Sequence, residues 1–448
     1  MLRPYGPVQS THRCEGHLRP YFPLRVVKGE GYSVFNPVDN QDYRINLSGY
    51  RILELCDGNR TMEEIARDLA GPLRLDAGDA LAYVEEFLAE MTALGMLCRR
   101  REAIPPPTPW APPQTVFWDV TSACNLRCVH CYGTSETPAP GELSTSEALR
   151  VIEEMVACGV EAISFSGGEP LLRKDFIELA AHAGRQGFKS VGVATNGTLI
   201  DERMARRLQS TGIDVQVSID GDSAEIHDAQ RGVPGAFAKA LAGIGALREA
   251  GCPVSVCTSV TRLNVERIPA IIELMERLGV NRFRVQGLVS TGRGLDNREN
   301  LGLEPQRMRE LVAYLEERNI RISSYNFTLK PPPAGPVDFC GTGACSAGAS
   351  ICSITSEGRV VPCTYFWGMH GDDLRAHSFG WIWENSRLLN YFRSIRLDDV
   401  KGICRECAWL SVCHGGCKAE NFAAGDLFAS NRTCWVAEEL RESACQEA

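Results

Sequence analysis

The sequence predicts an α/β protein in which alternating strands and helices are preceded by a small strand–helix module and succeeded by a cysteine-rich tail. Three observations predict it. Between residues 115 and 330, six β-branched or aromatic runs alternate with amphipathic helical patterns. Proline-rich connectors, IPPPTPWAPP at 104–113 and KPPPAGP at 330–336, bracket that region. Most of the 19 cysteines gather in two places, just after the first of these strands and beyond residue 337.

Residues 1–19 read as a tail and residues 20–100 as one module. LRVV, GYSVFN and DYRINL are expected to form short strands, broken by Gly, Pro and Asn. Ser48 is the expected cap of a first helix, GYRILELCDG, and Thr61 with Glu64 forms a capping box ahead of IARDLAG. A third helix, ALAYVEEFLAEMTALG, places Leu81, Val84, Leu88 and Met91 on one face. Strands leading into three short helices predict a winged helix-turn-helix-like module, joined through a linker at 101–114 to the central α/β region.

The central strands are VFWDVT, EAISFS, SVGVAT, DVQVSI, VSVCTSV and RFRVQGLV, with helices such as EALRVIEEMVACG and VERIPAIIELMERLG between them. Such a series implies a parallel sheet, open or barrel-like, over 115–330. The unusual residues fall just after strands: Cys124, Cys128 and Cys131 after the first, GGEP after the second, NGT after the third and DG after the fourth. Chemistry in parallel α/β folds gathers at the strands' C-terminal ends, so these motifs are expected on one rim of one cavity.

A net charge of −9 without a basic run excludes a nucleic-acid or anionic-membrane surface as the main partner. No apolar run approaches the roughly 20 residues of a membrane span. The N-terminus lacks the apolar core of a secretory signal, so a cytoplasmic location is expected. Clustered cysteines in a reducing compartment bind metal or do chemistry more often than they pair. Cys14, Cys56, Cys98, Cys158, Cys252, Cys257, Cys352 and Cys445 stand apart and read as packing or surface residues.

CNLRCVHCY, residues 124–132, spaces its thiols as C-x3-C-x2-C. Structural zinc takes four ligands, and a [4Fe–4S] cubane normally takes four thiolates. Three thiolates on a cubane leave one iron open to a small molecule. CNLRCVHCY resembles the signature of the radical S-adenosylmethionine (SAM) superfamily. The resemblance implies a partial (β/α)6 TIM-type barrel in which SAM chelates the open iron and is reductively cleaved to a 5′-deoxyadenosyl radical. It also implies that Gly167, Gly168 and Glu169 of FSGGEP bind the SAM amino group. By the same resemblance Ser218 of VSIDG meets the ribose, Arg231 of HDAQRG pairs with the SAM carboxylate, and Tyr132 offers its backbone to adenine. Taken alone, GGEP is equally a tight βα turn, Ser218 a strand-end serine and Arg231 a solvated arginine.

The tail, 331–448, carries Cys404-x2-Cys407-x5-Cys413-x3-Cys417, with Cys345, Gly358 and Cys363 upstream and Cys434 downstream. A segment with so little apolar periodicity is often held by metal, and thiolate counting does not separate iron from zinc. The spacing resembles the SPASM domain, which implies two auxiliary [4Fe–4S] clusters. Carried over, Cys345, Cys363 and Cys417 hold the first, with Cys340 as the favoured fourth ligand. Cys404, Cys407, Cys413 and Cys434 hold the second. Cys352 rivals Cys340, although ASICSIT reads as a strand that would direct it into packing. Sulfatase-maturing relatives place an aspartate after the equivalent of Cys363. Thr364 and Tyr365 stand here, which argues against formylglycine formation, and Asp372 and Asp373 are the nearby substitutes.

The 20–100 module resembles the PqqD-like recognition element of enzymes that modify ribosomally made peptides. This implies a leader peptide added as a strand beside Asp42–Leu47 and packed against Ala80–Met91. The whole layout resembles peptide maturases of the subtilosin, or sactipeptide, type. It implies a precursor-peptide substrate closed by a C–S thioether or C–C bond, and a reductant such as flavodoxin or ferredoxin. Two alternatives share the motifs: a radical SAM enzyme of tetrapyrrole synthesis, of the haem or haem d1 type, and a zinc-stabilised binding protein without activity.

Overall fold

The computed structural model describes residues 19–20, 25–27, 31–36, 41–56, 60–94, 97–98, 110–318, 320, 322–323, 345–366, 368–407, 410–431 and 434–437. Contacts divide the chain into two compact units, Met1–Thr108 with Met369–Gly371, and Pro109–Gly368 with Asp372–Ala448.

In the first unit, Arg25–Val27, Gly31–Asn36 and Gln41–Ile45 form an antiparallel sheet in sequence order. Helices succeed them at Leu47–Leu55, Met62–Leu73 and Ala77–Ala93. The third strand ends earlier than DYRINL suggested, so Asn46 rather than Ser48 caps the first helix. Its Oδ1 accepts from the Gly49 amide at 2.7 Å. Thr61 and Glu64 close a reciprocal capping box on the second helix. Val84, Leu88 and Met91 of the third helix are buried against Ile52, Leu53 and Ile65, with Leu81 packed at the edge.

The second unit is built on parallel strands β1 (Thr115–Asp119), β2 (Ala162–Ser166), β3 (Ser190–Thr195), β4 (Asp214–Ser218), β5 (Val254–Val260), β6 (Phe283–Gly287) and the short β7 (Ile322–Ser323). Each pairs in parallel with the next, which makes a partial barrel. Strand residues alternate between faces. Val116, Trp118, Ile163, Phe165, Val215, Val217, Val256 and Val285 face the helices and form the core. The opposite set, including Phe117, Asp119, Ser164, Ser166, Gln216, Ser218, Cys257 and Arg284, therefore lines the barrel interior. Cys257 departs here from the plain packing role expected of it.

Beyond residue 345 the sheet continues. β8 (Ile351–Ile354) pairs in parallel with β1, and β9 (Arg359–Val361) and β10 (Asp372–Asp373) extend it antiparallel. Cys352 on β8 is 0 % exposed within the main core. Asp373 pairs with Arg359 along this added edge and accepts from the Arg375 amide, so it is committed to the turn there. Among the described residues no helix is long and apolar enough to cross a membrane.

Candidate functional site

The loop after β1 carries Cys124, Cys128 and Cys131, each partly exposed. Backbone bonds hold it in place. The Arg127 and Val129 amides donate to the carbonyls of Arg231 and Gln230 at 3.1 and 3.0 Å, tying the loop to the end of the helix Ala224–Arg231. The Cys124 amide donates to Glu136 O at 3.2 Å and the Leu126 amide to Cys124 Sγ at 3.4 Å. Burial pushes the Cys124 thiol up to about 11, against which the Leu126 amide acts. The thiols of Cys128 and Cys131 lie within electrostatic reach of it, so the three share one locality.

FSGGEP comes after β2 and locks onto the same loop. The amides of Gly168 and Glu169 donate to Thr121 O and Ala123 O at 2.8 and 2.7 Å. A Cβ on Gly168 would sit 2.1 Å from Ala123 O, and one on Gly167, at φ +131°, 2.4 Å from Thr121 O. Only glycine permits this approach. Glu169 is fully buried. Its Oε1 accepts from Thr195 Oγ1 at 2.7 Å and its Oε2 from the Asn196 amide at 2.7 Å, which draws the NGT turn after β3 to the rim. Burial raises its pKa despite these bonds. Ser218 ends β4 in register with Cys257 of β5.

The DG turn after β4 brings together a buried network that the sequence showed only as a turn. Asp220 is 0 % exposed and pairs with Arg231 Nε at 2.6 Å. It also accepts from the Ser259 amide at 2.8 Å. Burial pushes the Asp220 carboxyl up most strongly, yet Arg231, His130, His227 and the Ser259 amide together outweigh it and hold the pKa below the usual value. Arg231 Nη1 donates to Cys128 Sγ at 3.8 Å. Arg231 therefore stands behind the cysteine loop, buried rather than solvated. His130 and His227 flank the pair, and burial drops both to about 4, so both are neutral. Tyr132 turns its ring inward. Its hydroxyl donates to Asp119 Oδ1 at 2.9 Å, and its ring meets Tyr365 edge-on at 5.7 Å.

In the tail, Cys363 lies within electrostatic reach of Cys345 and Cys417. Cys413 lies within reach of Cys434 and Cys404, and Cys434 within reach of Cys404 and Cys407. Burial raises the Cys413 and Cys417 thiols to about 12. Lys418 is fully buried beside the cysteines of both groups and donates to His414 O at 2.8 Å. Cys340 lies outside the described residues. Among the described residues no three His, Cys, Asp or Glu side chains converge on a point fit for one metal ion. Thiolates of a cubane bind separate irons and need no such convergence.

Comparison with known proteins decides the family. Residues 118–278 match the model of the radical SAM superfamily. The AdoMet-dependent heme synthase of Methanosarcina barkeri is 36% identical over 341 residues, covering 72% of this chain and 96% of that protein. The chain belongs to the radical SAM superfamily. This radical SAM enzyme also matches the models for coenzyme PQQ synthesis protein D at 31–97 and for an iron-sulfur cluster-binding domain, SPASM, at 345–408. The mycofactocin maturase MftC of Mycobacterium tuberculosis is 34% identical over 321 residues, 70% of this chain and 80% of that protein. Streptococcus suis SuiB bound to S-adenosylmethionine has the same fold, with a TM-score of 0.60 at 16% identity over 92% of this chain and 100% of that one. SuiB bound to precursor peptide SuiA gives 0.57 at 16% identity, over 93% and 98%.

The radical SAM enzyme thus carries a cluster-binding barrel, a PqqD-like domain and a SPASM domain, with a [4Fe–4S] cluster and SAM as its cofactors and auxiliary iron–sulfur clusters in its tail. The residues present fit the first cluster. Three soft thiols share one rim, a guanidinium backs one of them, and the glycine turn beside them leaves no room for a side chain.

Proposed function

We propose that this enzyme is a peptide maturase: it takes a ribosomally made precursor by its leader at the N-terminal domain and modifies the core peptide at the barrel rim. The observation that carries this reading is the PqqD-like domain at 31–97, present in one chain with the radical SAM barrel. Its strand Gln41–Ile45 lies at the edge of the three-stranded sheet and offers the place where an extended leader adds as a further strand, beside the helix Ala77–Ala93. When bound, the first cluster and SAM supply a 5′-deoxyadenosyl radical that removes a hydrogen atom from the substrate.

The chain's own residues set up that chemistry. Cys124, Cys128 and Cys131 hold the cluster, with Arg231 donating to Cys128 and neutralised behind by Asp220. Gly167 and Gly168 bring the backbone against the cysteine loop, and Glu169 pins the turn after β3 to it. Ser218 lies on the inner face for the ribose, and the Tyr132 backbone serves adenine. Cys345, Cys363, Cys417 and Cys340 hold one auxiliary cluster, and Cys404, Cys407, Cys413 and Cys434 the other. A C–S or C–C cross-link is the product class, and a flavodoxin or ferredoxin is the electron donor. The low-dielectric interior shields the carbon radical from water.

The 36% identity to a heme synthase supports a second reading, in which the substrate is a tetrapyrrole. Deleting residues 1–100 separates the two. On the peptide reading, affinity for the precursor peptide falls at least tenfold, while SAM cleavage without substrate persists. Unchanged peptide affinity, or turnover of an iron porphyrin by the truncated enzyme, rejects it.

A further inference from the structure

The barrel interior holds an arginine that forms no ion pair with a carboxylate among the described residues. Arg284 sits on β6 between Phe283 and Val285, both of which pack toward the helices, so its side chain projects inward. Its register neighbour on β5 is Cys257, which in turn is opposite Ser218 on β4. Arg284 hydrogen-bonds the Cys257 thiol. That thiol is held up by burial, so it stays neutral and does not balance the guanidinium. Arg284 Nε is buried without a hydrogen-bond partner. Among the described residues no carboxylate forms an ion pair with it.

The fully buried arginines of this unit, Arg231 and Arg393, each leave one nitrogen without a hydrogen-bond partner as well, but both have other strong partners. Arg231 is paired with Asp220 at 2.6 Å. Arg393 donates to the carbonyls of Gly348 and Trp383 at 2.6 and 2.7 Å and lies over the Trp383 ring. Arg284, half-buried on the inner face, stands instead in register with Cys257 and Ser218 and has no carboxylate partner among the described residues. Tyr365 also lies within its electrostatic reach, so it stands beside the segment that carries Cys363. A guanidinium placed this way presents a planar fork matched to a carboxylate. Its buried Nε is left without a partner, which a ligand carboxylate would supply.

We propose that Arg284 is a substrate-anchoring residue and that the barrel takes a carboxylate-bearing portion of its substrate. On the peptide reading, on which this rests, the carboxylate is either an Asp or Glu side chain of the core peptide or its C-terminal group. The anchor sits beside Ser218 and Cys257, so it fixes which substrate carbon faces the radical.

The test uses the full, iron-loaded enzyme under anaerobic conditions. Phenylglyoxal modifies accessible arginines, and the rate at Arg284 is read by peptide mass mapping. The probes, at millimolar concentration, are acetyl-Gly-Asp-Gly-amide, acetyl-Gly-Gly-Gly as free acid, their neutral amide counterparts, and propionate. At least one acid peptide should slow modification of Arg284 tenfold or more, with its amide counterpart without effect. Which of the two protects identifies side-chain or C-terminal carboxylate. Protection by propionate equal to that by either peptide keeps the carboxylate site but removes support for a peptide in it. Equal protection by acid and amide, or no protection by any carboxylate, overturns the proposal. Calorimetry supplies an independent arm: Arg284→Gln should abolish the acid-over-amide preference and Arg284→Lys should retain part of it. A preference that survives Arg284→Gln equally overturns it.

Discussion

The Tyr132 hydroxyl donates to the Asp119 carboxylate at 2.9 Å, joining the residue after the last loop cysteine to the end of β1. Burial dominates this pair. It raises the Asp119 pKa from 3.8 to about 7, against the hydrogen bond from Tyr132. The folded chain therefore keeps a proton there that the unfolded chain loses from about pH 4 upward. Stability from this group is full below that pH and is lost as pH rises through 7. Asp119→Asn should flatten the difference, gaining about 2 kcal/mol relative to the parent between pH 5 and 8. Denaturant melts across that range check it. Parallel curves for both proteins would count against the raised pKa.

Arg231 joins a carboxylate and a cluster thiol, so its loss has two effects. Arg231→Met should leave Asp220 buried without its cationic partner, at a cost of about 3–5 kcal/mol. It should also lower cluster occupancy by about four irons per chain. Iron and sulfide analysis with low-temperature electron paramagnetic resonance reads the second effect separately from the melt.

Gly168→Ala places a methyl 2.1 Å from Ala123 O, which is backbone and cannot swing away. Overpacking of this kind costs about 1–3 kcal/mol. The displaced loop should depress SAM cleavage about a hundredfold, measured as 5′-deoxyadenosine formed per cluster.

Cys352 and Cys363 lie 11 residues apart and should behave oppositely. Cys352 fills the core under β8, so Cys352→Ala should keep the full iron content and lose about 1 kcal/mol of stability. Cys363→Ala should lose about four irons. The same assay on Cys340→Ala decides the remaining ligand of that cluster.

Much of the barrel was legible because its punctuation is local. SVGVAT begins and ends where β3 does, bounded by residues that favour turns. The cysteine spacing and GGEP were legible for the same reason: the chemistry needs them close in sequence. The cap of the first helix was misplaced because NLS offers two side chains that can cap, and strand length decides between them. The pairing of β8 with β1 was not legible, since no local pattern reports partners more than two hundred residues apart. Asp220 looked like half of a turn, and only folding brings Arg231, Ser259 and His130 around it. Arg284 looked like a strand residue, and its lack of a carboxylate partner among the described residues emerges only when the strands come together.

The hydrogen-bonded seam between β8 and β1 bears on how electrons travel. Tunnelling rates fall steeply with the gap between donor and acceptor, and a gap that breathes gives a rate that wanders. Here β1, which leads into the thiol loop, pairs with β8, and β8 pairs in turn with β9, which leads into Cys363. On the proposed ligand assignment, one continuous sheet therefore joins the segments that carry the two clusters, and their separation is set by folding rather than by substrate.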